Sequence, residues 1–182
     1  PGQEKQARQW PVLLSCSTLE ADIRLRVEQL WSAENAGWIS PFSYKLPFDA
    51  GLQSEYGADA CRIAVIAGNC AKPENELEPS FKWLARLHHQ LGSNRETFAA
   101  VPWLETAIQT RDHVISRNDP AAALTQLKHA VKVSPPGLQL TTREKALVTA
   151  CLYPFAPLLA MHYAGPNDFS WQKLSITTGS FA

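Results

Sequence analysis

Between Asn75 and Pro166, proline and glycine cut the chain into helix-length segments, most of which open on a capping residue and carry apolar side chains at helical spacing. Pro79 suits a first helical turn; Phe81, Leu84, Leu87, His88 and Leu91 then recur on one face, and Gly92 stops the run. Ser93 with Glu96 repeats the reciprocal capping pattern, and Pro102 opens a helix carrying Leu104, Ile108 and Ile115 to about Ser116. Asp119 caps the next, with Pro120 in its first turn and Leu124, Leu127 and Val131 as its buried stripe, until Pro135, Pro136 and Gly137 break it. Thr141 with Glu144 starts the most apolar stretch, which runs through Leu147, Val148 and Leu152 to Tyr163. Pro154 and Pro157 each lack an amide donor and clash with the preceding turn, so this element must kink or split near Tyr153. The unequal segment lengths speak against a regular helical repeat.

The first third is less periodic. Ser17 stands three residues before Glu20, and Leu19, Ile23, Val27 and Leu30 follow on one face, which predicts a helix to about Ala36. A strand competes, because Ile23, Leu25 and Val27 alternate with Arg24, Arg26 and Glu28; length and capping favour the helix, with Arg24 and Arg26 read as one solvated face. Residues 38–57 hold two prolines, Gly51 and the rings of Trp38, Phe42, Tyr44, Phe48 and Tyr56 without a steady period. Rings are costly to leave in water, so this is a long ordered loop laid over the core, and Trp38, Phe42, Tyr44 and Phe48 are candidates for a partner surface. Residues 61–67 fit either a buried strand or a short helix begun near Asp59, and residues 10–14 and 171–178 read as short peripheral strands. The expectation is a mainly α, compact multi-helix domain with a few short peripheral β-strands.

At 182 residues the chain is long enough for one sizeable core, taken as residues 10–182 behind a polar linker at 1–9. Seventeen basic side chains against 17 acidic ones leave a formal net charge of zero, which gives no field to hold nucleic acid or an anionic membrane surface. The greasiest segment, 146–164, carries Pro154, Pro157 and His162, so no membrane span is expected. The start at Pro1, with Met161 the sole methionine, predicts a segment upstream, whether leader, anchor or further domain. Localisation stays open between the cytoplasm and a periplasmic or secreted setting.

Chemistry-bearing residues are scattered. Cys16, Cys61, Cys70 and Cys151 form no Cys-x-x-Cys pair, and burial as small hydrophobes is preferred to a Cys61–Cys70 bridge. His88 and His89 are adjacent, which sends their rings about 100° apart on a helix, while His113, His129 and His162 stand on separate segments. Neither a metal nor a cofactor is expected. Cys16, at the entrance to a helix, is placed where free amides stabilise a thiolate. The string Ser15-Cys16-Ser17-Thr18-Leu19 resembles the nucleophile region of papain-like cell-wall amidases over these five positions, which implies Cys16 as nucleophile. That family places a base histidine in a strand after the nucleophile helix, where this chain offers Cys61 and Arg62. Phosphate loops, nucleophile elbows and His-Glu-x-x-His pairs are absent from the sequence. The leading expectation is a non-catalytic protein-interaction domain, the soluble part of a larger or membrane-tethered protein, whose partner is another protein. The alternatives are a cysteine-dependent hydrolase using Cys16, and a small-molecule or lipid carrier.

Overall fold

The computed structural model of the chain describes residues 18–31, 46–68, 72–92, 103–133 and 142–163. Among them are eight α-helices and no strand: α1 Leu19–Trp31, α2 Ala50–Tyr56, α3 Ala58–Ala67, α4 Leu77–Gly92, α5 Trp103–Arg111, α6 Pro120–Val133, α7 Thr142–Leu152 and α8 Pro157–Tyr163. The expected peripheral strands find no support, and residues 10–14 and 171–178 lie outside the described residues.

Residues 23–27 and 61–67, which also fitted strands, are both helical. In α1, Leu19, Ile23, Val27 and Leu30 face the core, and the Thr18 hydroxyl accepts from the Ala21 amide at 3.2 Å. Thr18 thus caps a helix whose cap had been expected one residue earlier, at Ser17. The anticipated loop at 38–57 contains α2, whose start is fixed by the Asp49 carboxylate accepting from the Leu52 amide at 2.8 Å. Gly57, at φ 82°, ends α2 and leads directly into α3, a backbone turn that a residue with a side chain rarely adopts.

α4 follows a 3-10 turn at Pro73–Glu76 and buries Leu77, Ser80, Leu87 and Leu91. Its inner stripe therefore passes beside Phe81 and His88, both of which are exposed although the sequence pattern had put them inward. α5 continues as a π-helical turn, Asp112–Ser116, closed by the Arg117 amide donating to the Asp112 carbonyl at 3.1 Å. Asn118, left-handed at φ 53°, then turns the chain into α6, where the Asp119 carboxylate accepts from the Ala122 amide at 2.9 Å.

The proline pair divides the last apolar stretch. α7 stops at Leu152, whose carbonyl accepts from the amides of both Phe155 and Ala156, and α8 starts on Pro157. Leu124, Leu127, Val148, Leu152, Phe155 and Ala160 meet Ile23, Val27, Leu87 and Leu91 in one main core. A smaller core of Leu46, Phe48, Cys61, Ala64 and Leu77 lies between α2, α3 and the start of α4. No described helix is long and apolar enough to cross a membrane.

Candidate functional site

Arg26 sits on the same face of α1 as Ile23, Val27 and Leu30, and it is fully buried, which corrects its assignment to a solvated face with Arg24. Arg24 does reach solvent and pairs with Glu28. Asp22, one turn before Arg26 and equally buried, accepts from Arg26 Nε at 2.9 Å and from Arg26 Nη2 at 3.2 Å. Arg62 of α3 adds a third donor, its Nη2 lying 2.6 Å from Asp22 Oδ2. The same Nη2 donates to the Pro154 carbonyl at 2.8 Å, and Arg62 Nε to the Phe155 carbonyl at 3.2 Å. Those carbonyls belong to the elbow between α7 and α8, where the helical ladder is interrupted.

One turn earlier on α3, Asp59 serves the other side of the elbow. Its Oδ1 accepts from the Leu158 amide at 3.2 Å and its Oδ2 from the Leu159 amide at 2.8 Å. α8 follows Ala156, whose side chain has no acceptor, so a carboxylate from a different helix does the work of a cap. Burial pushes the Asp59 carboxyl above its ordinary range, against the opposing pull of the two amides and of Arg62 and Arg26. The guanidinium of Arg26 also lies 5.2 Å from the centre of the Tyr153 ring, and the Tyr153 hydroxyl donates to Gln29 Oε1 at 2.8 Å. Two carboxylates and two guanidinium groups thus form one buried set joining α1, α3 and the elbow. Buried from solvent, the set bonds α1, α3 and the elbow to one another.

Two groupings stand at the surface. Phe81 of α4 is 42% exposed and meets Tyr56 of α2 edge to face, with 5.9 Å between ring centres. The charges of Glu55, Glu78 and Lys82 act on the Tyr56 hydroxyl, and Lys82 Nζ pairs with Glu78 Oε1 at 2.9 Å. Elsewhere, His88 of α4 meets His162 and Tyr163 of α8. No group of three or more His, Cys, Asp or Glu side chains able to hold a metal occurs among the described residues.

Comparison with protein-family models, characterised proteins and solved structures finds no match.

Of the residues singled out from the sequence, Cys16, Trp38, Phe42, Tyr44 and Cys70 lie outside the described residues. Phe48 is buried with Leu46 and Leu77, as a core ring. Cys61 is a free, buried thiol beside Phe48 and Ala64 on the inner face of α3, and Cys151 is likewise free and buried, its Sγ 3.6 Å from the Trp103 carbonyl. Burial pushes both thiols up, so neither is a ready nucleophile. Alkylation of the native protein at neutral pH, mapped by mass spectrometry, should leave Cys61 and Cys151 unmodified until denaturant is added. Rapid native labelling of either would mean that its helix opens readily.

The sequence carried a signal for the charged set that the periodicity alone concealed. Arg26 and Asp22 border the arc drawn by Leu19, Ile23, Val27 and Leu30, about 20° and 60° beyond Leu19 around the helix, and Arg62 interrupts an otherwise apolar run from Ala60 to Ala67. A charge placed at a core position needs a partner of opposite sign.

Proposed function

We propose that this chain is a non-catalytic, mainly helical protein-interaction domain of a larger or membrane-tethered protein, and that it docks its partner on the α2–α4 surface around Phe81. The observation carrying this reading is the Tyr56–Phe81 pair: a large ring left 42% exposed on an outer helix face, with a second ring already holding its edge. Interfaces concentrate their binding energy in such aromatic anchors, surrounded by a polar rim. Here the rim holds the carboxylates of Glu55 and Glu78 against the ammonium of Lys82. That balance favours a partner segment presenting an apolar side chain beside a basic one. The buried charges of the described helices support the same reading, since Asp22, Asp59 and Arg62 are engaged in bonds between elements and Arg26 in a bond to Asp22 within α1.

Phe81→Glu tests it. A stoichiometric partner isolated from native extracts and then purified should bind this variant at least about 30-fold more weakly than the parent chain, as loss of a hot spot requires. Because the position is exposed, the melting temperature should change little. Unaltered affinity in a folded variant would reject the surface, and substrate turnover abolished by one substitution would reject the non-catalytic reading.

A further inference from the structure

His88 lies in the last turns of α4 and His162 near the end of α8, and the fold brings their exposed rings to 5.5 Å between centres at an angle of 49°. Two imidazoles on one tetrahedral ion, with metal–nitrogen bonds of about 2.0–2.1 Å, place their ring centres roughly 5 Å apart. The pair therefore stands near a chelating separation. His89 is not part of it, being turned about 100° around α4 from His88.

Tyr163 supplies a second, independent feature. Its hydroxyl oxygen is 2.8 Å from His88 Nδ1 and 2.9 Å from the His88 carbonyl oxygen. A phenol hydroxyl carries one proton to donate and lone pairs to accept with. A carbonyl oxygen can only accept, so the phenol donates to it and accepts in turn from Nδ1–H of His88. In the uncharged ring this leaves Nε2 with a lone pair. Metal-binding histidines are held in the same way, one ring nitrogen donating to a fixed oxygen while the other meets the ion.

We propose that His88 and His162 bind one divalent late transition-metal ion of the Cu2+ or Zn2+ class, with Tyr163 as the residue that orients His88. Imidazole suits these ions, and water fills the positions that two protein ligands leave open. The ion ties the end of α4 to the end of α8, two elements far apart in the chain.

Calorimetric titration of the 182-residue chain with CuCl2, and separately with ZnCl2, tests this alongside H88Q, H162Q, Y163F and H89Q. One equivalent should bind with saturation. H88Q and H162Q should each weaken binding by at least about tenfold, as loss of one of two ligands implies, and Y163F by about 10- to 100-fold. H89Q should leave it unchanged. Both ligand side chains are exposed, so the variants should keep the circular dichroism spectrum of the parent. Saturating ion should raise the melting temperature of the parent and not that of H162Q. No saturable binding, equal losses in H162Q and H89Q, or full binding after removal of both His88 and His162 would overturn the proposal.

Discussion

Asp22→Ala should cost the fold about 3–5 kcal/mol, because it leaves the guanidinium groups of Arg26 and Arg62 buried without the carboxylate both of them bond. α1 offers its own control. Arg24 and Glu28 have the same spacing as Asp22 and Arg26, and their side chains are 44% and 48% exposed against 0% for the inner pair. Water already screens the outer pair, so Arg24→Ala should change stability by no more than about 0.5 kcal/mol. Urea denaturation of the two variants, read from the midpoint at constant slope, separates the cases. A loss below about 1 kcal/mol for Asp22→Ala would mean that water enters the set and solvates the arginines.

Leu152→Ala should cost about 2–5 kcal/mol. The side chain is fully buried in the main core, at the last residue of α7, and its backbone carbonyl anchors the turn into α8 through the amides of Phe155 and Ala156. Truncation loses the transfer energy of the removed atoms and leaves a cavity beside a turn that two prolines make stiff, so the surroundings have little freedom to collapse into it. Thermal and urea unfolding measure the loss. A value below about 1 kcal/mol would place α7 at the periphery of the core.

Helices were legible where a cap and a stripe coincided. Asp119 and Pro120 start α6 as their types require, and Pro154 with Pro157 puts the elbow at Tyr153. These are local effects, decided within one or two turns. α2 was hidden for an equally local reason: Gly51 and nearby Pro47 weaken the helical signal, and the deciding feature is the single cap at Asp49.

What the sequence withheld was which neighbour each helix face meets. Phe81, Leu84, Leu87 and Leu91 make a convincing stripe, but the inner side of α4 is set by Leu77, Ser80, Leu87 and Leu91, so the ring of Phe81 falls on the flank beside Tyr56. The sequence sets His88 beside His89 and leaves His162 alone on its segment, since the approach of His88 and His162 depends on α8 lying along the end of α4. The Arg26 side chain posed the same difficulty in reverse. Alternating charge looks like a wet face until Asp22 and Arg62 arrive to satisfy it.

The elbow has a consequence for the order in which the chain is made. A ribosome releases α1 and α3 well before Pro154 and Phe155, so Arg62 is synthesised without the two carbonyls it will bond, and Asp59 without the amides of Leu158 and Leu159. Dehydrating these charges early, with part of their partners still inside the exit tunnel, is unfavourable by several kcal/mol for each ion. Nascent α1 and α3 should therefore remain hydrated and apart during translation, closing on one another only after the second proline of the elbow has emerged.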